Sequence, residues 1–153
     1  MTKSKAETKV QGNLIEFWKP QGFRSKKTHE ILSSGKPDLR VGNPKYGQLD
    51  TELKVKTTGI TGPKTGITPL QEDTINEMNL HGMPAVGLIW DVPSSTFWLS
   101  ILGKDDIREI APYRRIQPVV HRTKVLCDPL VLFLMSKRFL DEHGYPSAAF
   151  LHC

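Results

Sequence analysis

Three side chains in one short stretch have residue types and spacing that suit metal-dependent chemistry. Asp38 precedes a short apolar run, and Glu52 and Lys54 lie two residues apart in a segment of strand-forming residues. Because successive side chains of a strand point to opposite faces, Glu52 and Lys54 share one face, and Leu53 points into the core. If the segment at Asp38 pairs with this strand, the two carboxylates come close together and repel each other unless a proton or a cation lies between them.

A divalent cation would resolve that repulsion. Carboxylate oxygens are hard ligands of the kind that Mg²⁺ and Mn²⁺ prefer, and such an ion supplies the Lewis-acid chemistry that suits phosphodiester hydrolysis. Lys54 would then hold the attacking hydroxide or neutralise charge on the phosphate. The alternative needs no ligand: Asp38 would be a turn residue after Pro37, and Glu52 and Lys54 an ion pair on a solvated strand face.

Two strands and the helices around them must position these residues. The segments "PDLRVG" and "GQLDTELKVK" predict a hairpin about the turn "NPKYG". A helix is predicted before them, over residues 6–19, and a second helix is predicted to begin at Thr68, with Pro69 and Gln71 completing a capping signature. The apolar face of this second helix is predicted to consist of Leu70, Ile75, Met78 and Leu80.

The rest of the chain completes an α/β pattern. "PAVGLIWDV" and "TFWLSIL" are predicted strands, with Trp90 and Trp98 predicted to lie in the core rather than to be base-stacking platforms. A last helix follows Asp128 as N-cap and Pro129. "FRSKKTHEIL" is interpreted as an extended segment or loop, "TTGITGPKTG" as a loop, "KDDIREI" as a short amphipathic turn or helix, and "APYRRIQPVVHRTKVL" as an extended basic connection. The order of elements predicts an α/β sandwich around a mixed sheet.

Size and composition favour one globular domain. We predict a single domain over residues 1–153, with a core over about 6–102 and a C-terminal extension over about 103–153. No segment approaches the roughly 20 apolar residues that cross a bilayer, so no membrane partner is expected. The chain has two cysteines, too few for a disulfide framework, which favours a reducing, cytoplasmic setting, and Cys127 is expected to be a buried small hydrophobe.

The net charge of +5 is unevenly distributed. Residues 1–66 carry 13 Lys and Arg against 6 Asp and Glu, whereas residues 67–153 carry 8 against 10. A basic surface concentrates polyanions, and neutralising phosphates releases counterions, so nucleic acid is the leading partner. Lysines that only keep the protein soluble are the alternative.

The motifs resemble those of a nuclease superfamily. Pro37-Asp38 followed by Glu52-Leu53-Lys54 is similar to the PD-(D/E)XK signature, and the surrounding pattern is most similar to its VRR-NUC branch. The likeness includes "ETKVQ" in the first helix and "TGITPLQ" before the second, and it covers roughly residues 7–91. The resemblance implies a restriction-endonuclease-like core flanked by helices, with an extra C-terminal helix, and an Mg²⁺- or Mn²⁺-dependent endonuclease.

The resemblance also implies a role for each matched residue. Asp38, Glu52 and the backbone carbonyl of Leu53 would be metal ligands, and Lys54 would be the catalytic lysine. Gln71 would be the polar residue of the helix that borders the site, although its capping role would explain it equally well.

A third acid is expected to approach the metal from the first helix. The resemblance implies Glu7 for this position. Glu16 on the same helix and Glu30 before the hairpin are the alternatives.

Several cations are predicted to contact DNA. These are Lys56, at the end of the predicted strand that contains Glu52 and Lys54, and Lys64, in the loop after it, together with Lys36 and Arg40. Tyr113, Arg114 and Arg115 combine an aromatic ring with two cations, which would suit a phosphate backbone or an unpaired base; this role is left open.

The resemblance bears on the substrate as well. Similar stand-alone proteins are found in bacterial viruses, which implies a structure-selective nuclease for branched DNA or four-way junctions, in a bacterial or phage-infected cytoplasm. Two symmetric cuts would suit a homodimer, with the helix "PLVLFLMSKRFL" either as the dimer surface or packed on its own domain. The alternatives are a non-catalytic nucleic-acid-binding module on the same fold and a sequence-specific restriction-type nuclease.

Overall fold

The computed structural model describes residues 4–28, 37–57, 66–101 and 113–145. Within these ranges a mixed six-stranded sheet is flanked by three α-helices, so the predicted α/β class is confirmed. In the same ranges no helix combines the length and the apolar character needed to cross a membrane.

The described residues form three α-helices and eight strands. They are α1 (Lys5–Trp18), β1 (Arg24–Lys27), β2 (Leu39–Asn43), β3 (Gly47–Lys56), α2 (Pro69–Leu80), β4 (Ala85–Asp91), β5 (Thr96–Ser100), β6 (Tyr113–Ile116), β7 (Val119–His121), β8 (Lys124–Leu126) and α3 (Pro129–Glu142). The sheet order is β1-β2-β3-β4-β5-β6, and β7 and β8 form a separate hairpin. Only β3 and β4 pair in parallel among the neighbours in this sheet, and α2 makes the crossover that a parallel pair requires.

Local signals in the sequence predicted several of these elements correctly. The β2–β3 hairpin forms, and Thr68 caps α2 in a complete capping box. Asp128 caps α3 by accepting hydrogen bonds from two backbone N–H groups, as predicted. "FRSKKTHEIL" and "APYRRIQPVVHRTKVL" are extended in part, as predicted, but they also form strands that were not predicted: β1 in the first, and β6, β7 and β8 in the second. These strands are three or four residues long and largely exposed, so they lack the apolar alternation that marks a half-buried strand.

Side-chain alternation divides the six-stranded sheet into two faces. The core face packs against α1 and α3, and its buried cluster joins Leu53 of β3 and Leu88 of β4 to Trp18 of α1 and Phe133 of α3. Trp18 Nε1 donates a hydrogen bond to the Cys127 carbonyl oxygen at 2.7 Å, which ties α1 to the start of α3. Cys127 is fully buried, as predicted. The opposite face, called the α2 face below, carries the alternate residues of each strand and packs against α2.

Helix α3 packs on its own domain. Its buried side chains, Leu132, Phe133, Phe139 and Leu140 among them, belong to the core cluster. This is one of the two roles considered for this helix, and the dimer surface stays a prediction.

Helix α2 buries a different set of residues from the predicted one. Leu70 and Leu80 are 50% and 45% exposed, whereas Gln71 and Asn79 are buried with Ile75. The prediction was right for Ile75 and wrong for Leu70 and Leu80. A buried amide has specific partners instead: Asn79 accepts from the Ala85 N–H at 2.7 Å and donates to the Ala85 carbonyl at 2.9 Å. The helix therefore presents hydrogen-bonding groups to the sheet.

Candidate active site

The register of the β2–β3 hairpin brings the two predicted acids together. Leu39 lies opposite Thr51 in the last pair of this register; Asp38 is the residue just before Leu39, and Glu52 is the residue just after Thr51. The Thr28 N–H donates to the Asp38 carbonyl at 3.0 Å, so Asp38 still belongs to the ladder between β1 and β2. Side chains directly opposite each other in an antiparallel pair lie on the same face, with Cβ atoms about 5 Å apart.

The Asp38 carboxylate lies against the backbone of β3. Its Oδ1 accepts a hydrogen bond from the Leu53 N–H at 3.3 Å, and the side chain is half-buried. Because the N–H and C=O of one strand residue point to the same side, the Leu53 carbonyl also faces Asp38. Leu53 itself is 1% exposed and packs in the core, as predicted.

The Glu52 carboxylate is buried and held by α2. Glu52 is 2% exposed, and its Oε1 accepts a hydrogen bond from Gln71 Nε2 at 2.6 Å. Gln71 also closes the capping box, because its Oε1 accepts from the Thr68 N–H at 2.9 Å and its own N–H donates to Thr68 Oγ1 at 3.2 Å. The two roles considered for Gln71 therefore coexist in one side chain. The positive end of the helix dipole lies beside the acid as a result.

Gly87 and Ile67 pack against each other on the α2 face beside Glu52. Gly87 is the neighbour of Glu52 on the parallel strand β4. A Cβ added to Gly87 would meet Ile67 Cδ1 at 2.0 Å, and Ile67 is 7% exposed. Ile67 thus covers the sheet where a side chain at position 87 would otherwise stand. This apolar cover lowers the local dielectric and strengthens electrostatic interactions of Glu52.

Two lysines continue the same face beyond Glu52. Lys54 and Lys56 alternate with core-facing residues of β3, and both are half-buried. Gly66 lies over them, since a Cβ added there would be 3.1 Å from Lys56 Cδ and 3.9 Å from Lys54 Cβ. The predicted sharing of one face by Glu52 and Lys54 is confirmed by this register.

The third acid remains a prediction. Glu7 lies in the first turn of α1, where its carboxylate accepts from the Ser4 N–H at 3.1 Å in a second capping box. Glu16 is exposed about 13 Å further along the helix. It lines a cavity of about 660 Å³ with Phe17 and others. Glu30 lies outside the described residues.

The donor atoms fit a hard divalent ion. Across the described part of the chain, no group of three or more His, Cys, Asp or Glu side chains could hold a metal. Asp38, Glu52 and the Leu53 carbonyl nevertheless offer an all-oxygen set. Mg²⁺ commonly binds through one or two carboxylates and keeps several of its waters, so two acids are sufficient for it.

The basic side of the α2 face is formed by β1 and β2. Arg40 Nε donates to Asp50 Oδ1 at 2.9 Å, and this hydrogen bond and charge raise the pKa of Arg40. The Arg40 side chain is still 48% exposed. Arg24 and Lys26 lie on the same face by register and are exposed. The sequence interpretation missed them because the strand was not recognised. Lys36 and Lys64 lie outside the described residues.

The opposite side of the α2 face is formed by β5 and β6 and is aromatic. Trp98 is half-buried there, so its predicted place in the core was wrong. Trp90, on the adjacent strand, does pack against the core cluster, with its ring 4.8 Å from that of Phe97. Tyr113 of β6 is 5.4 Å from the Trp98 ring.

Comparison with known proteins adds no assignment to this geometry. A search with models of protein families finds no match to the chain, and a search of curated proteins finds none either. The chemistry of the site is therefore inferred from its own residues.

Proposed function

We propose that this chain is a metal-dependent endodeoxyribonuclease with a PD-(D/E)XK-type site, similar to the VRR-NUC branch, on a restriction-endonuclease-like core. The observation that carries the proposal is the register of β2 and β3. Continued by one residue, this register would set Asp38 opposite Glu52, and Lys54 is the next residue of β3 on the face of Glu52. A solvated ion pair would not explain a glutamate that is 2% exposed and hydrogen-bonded to a helix.

The oxygen donors would hold Mg²⁺ or Mn²⁺. Asp38, Glu52 and the Leu53 carbonyl provide them, with Glu7 as the proposed third acid. When bound, such an ion supplies Lewis-acid stabilisation of the charge on a scissile phosphate.

Neighbouring groups fix the orientation of these acids. The Leu53 N–H holds one oxygen of Asp38, and the Gln71 amide holds one oxygen of Glu52, so hydrogen bonds fix the position of both carboxylates. Preorganised dipoles of this kind cost no reorganisation during the reaction. Lys54 places a positive charge beside the acids, where it would orient the attacking water and neutralise phosphate charge.

The DNA would lie along the parts of the α2 face that helix α2 leaves exposed. Arg40 and Lys56 are on this face, and Lys36 and Lys64 are proposed to add further phosphate contacts. Phosphate contacts position DNA without reading its sequence, so this face suits selection by structure. Branched DNA is the proposed substrate, cut by a homodimer where two symmetric cuts are needed.

A panel of DNA forms tests the proposal directly. Single-stranded, nicked, flapped and four-way-junction DNA would be incubated with Mg²⁺, Mn²⁺, Ca²⁺ or EDTA. We expect cutting of the branched forms that requires Mg²⁺ or Mn²⁺. If the protein bound all of these forms but cut none of them with any metal, it would be a binding module and not an enzyme. Fragments with one fixed sequence at their ends would instead indicate a restriction-type nuclease.

A further inference from the structure

The α2 face continues from the acidic site to the far edge of the sheet in two straight rows. The register places these residues side by side on consecutive strands: Glu52, Gly87, Ser100 and Tyr113 in one row, and Lys54, Ile89, Trp98 and Arg115 in the next. Three strand spacings separate β3 from β6, or about 14 Å. The acids and the aromatic side of this face therefore lie on one side of the sheet, with the buried residues Gly87, Ile89 and Ser100 between them.

Three residues at the end of these rows, Trp98, Tyr113 and Arg115, form what we call the aromatic strip. The Trp98 and Tyr113 rings meet edge to face, with centroids 5.4 Å apart and planes at 79°. Each ring is half-buried, so packing holds it while part of it faces solvent. Arg115 is the direct cross-strand partner of Trp98 and is exposed, with its Nη2 3.4 Å from Thr96 Oγ1. The strip thus combines two fixed rings with one accessible cation.

The other side of the same face has a different composition. In β1 and β2 the positions on this face are Arg24, Lys26, Arg40 and Gly42, which are three cations and a glycine with no aromatic ring. Cations alone suit the phosphates of any nucleic acid. Rings add an interaction with the flat faces of bases, and those faces are accessible only when the strand is unpaired.

We propose that the aromatic strip binds unpaired nucleotides of a DNA strand, with bases stacked on Trp98 and Tyr113 and a phosphate on Arg115. The inference rests on the proposed nuclease function, because it names the part of the substrate that lies beside the site. The duplex part then lies over the cationic side, and the acids meet the strand where pairing ends. A substrate with a single-stranded arm fits both sides of the face.

Binding is measured without metal, so that cleavage plays no part. Oligo(dT) in EDTA would be titrated against the protein and followed by tryptophan fluorescence and by anisotropy of a labelled oligonucleotide. Trp98→Leu is expected to weaken oligo(dT) binding about 5- to 150-fold, the range for loss of one base stack. It should leave the affinity for a duplex of equal length within about twofold.

The chain offers a matched control on the neighbouring strand. Trp90 is also half-buried but lies on the core face, so Trp90→Leu should keep both the affinity for oligo(dT) and the fluorescence quenching that stacking causes. Trp18 is fully buried and contributes a constant background. Quenching that disappears in Trp90→Leu and persists in Trp98→Leu would overturn the proposal.

A surface variant keeps the test valid if a tryptophan substitution unfolds the protein. Arg115→Gln changes an exposed side chain and should lower the slope of log affinity against log salt by about 0.7, as for loss of one phosphate contact with a single strand. Polyphosphate has no bases, so its binding should fall for Arg115→Gln and stay unchanged for Trp98→Leu. Equal losses for polyphosphate and oligo(dT) in Trp98→Leu would contradict stacking.

The two proposals fail separately. If the wild-type protein cuts no DNA form but Trp98→Leu still weakens oligo(dT) binding, the nuclease function is wrong and the strip stands. If the protein cuts branched DNA but Trp98→Leu and Arg115→Gln bind oligo(dT) as the wild type does, the strip is wrong and the nuclease stands.

Discussion

The middle of strand β3 is buried on both faces, with apolar residues on one and charged residues on the other. On the core face, Leu49 and Leu53 are 0% and 1% exposed within one apolar cluster. On the α2 face, Asp50 and Glu52 are 3% and 2% exposed, each with a hydrogen-bonding partner. Burying a charge costs free energy that apolar burial does not, even when the charge is paired. The comparison indicates that the core face holds the fold, while the α2 face keeps charges that folding alone does not require.

The largest expected effect is the loss of cleavage when one charge is removed from the α2 face. Asp38→Asn or Glu52→Gln should lower metal-dependent cleavage at least about 10³-fold, because an amide is a poor ligand for a divalent ion. The thermal midpoint should stay the same or rise, since a buried charge disappears. Cleavage assays with circular dichroism melting check both parts.

Asp50→Asn is the matched control for this experiment. Asp50 lies two residues before Glu52 on the same face and pairs with Arg40 instead of the site. It should retain most of the cleavage activity. Equal loss in all three variants would show that charge on this face matters generally and that the two acids have no special role.

A truncation on the core face should lower stability and leave specific activity unchanged, which is the opposite of what the acid variants should do. Phe133→Ala leaves a cavity where a fully buried ring packs between α3 and the sheet, and it should destabilise the protein by about 3–5 kcal/mol. Specific activity of the fraction that remains folded should stay near the wild-type value. Urea denaturation gives the first quantity and an active-fraction assay the second. A folded but inactive Phe133→Ala protein would erase the contrast between the faces.

The third prediction concerns the glycine beside Glu52. Gly87→Ala places a Cβ 2.0 Å from Ile67 Cδ1 and 3.3 Å from the Ser100 carbonyl, so it should cost about 1–3 kcal/mol of stability. Ile67→Val removes the Cδ1 atom, and Gly87→Ala in that background should cost less. A double-mutant cycle in urea measures this coupling. Additive effects would mean that Ile67 does not cover Gly87.

The smallest expected effect is a pH dependence of stability that comes from Cys127 in the core cluster. Burial and, to a lesser degree, the nearby Asp128 charge raise the pKa of Cys127 above its ordinary value of 9.0. The folded state therefore holds this proton more tightly than the unfolded state, and the resulting stability is present below pH 9 and lost as the pH rises. Between pH 8 and pH 10 the wild type should lose about 1.4 kcal/mol more than Cys127→Ala. Parallel urea titrations at the two pH values would detect no difference if the thiol were accessible.

The sequence predicted features that depend on neighbouring residues. Alternation in "ELK" placed Glu52 and Lys54 on one face, and the capping signature at Thr68 located the start of α2. The turn "NPKYG" fixed the hairpin register, which is what brings Asp38 near Glu52. These signals lie within a few residues of the structure that they specify.

The burial of polar residues that depend on distant partners was not predicted. Asn79 of α2 is buried because its partner Ala85 belongs to another element, whereas Gln71 had been predicted to border the site. "TFWLSIL" is apolar on both faces, so only the pairing of β5 with β4 decides that Trp98 leaves the core. The short polar strands β1 and β6 are recognisable only from the sheet that they extend.

The double use of Gln71 links the first turn of α2 to the acid that it holds. When that turn unwinds, the side-chain amide of Gln71 loses its hydrogen bond from the Thr68 N–H and no longer holds the Glu52 carboxylate. Amide hydrogen exchange at Gln71 would therefore report how often the glutamate is released. Any ligand that binds Glu52 should therefore slow exchange at the start of this helix.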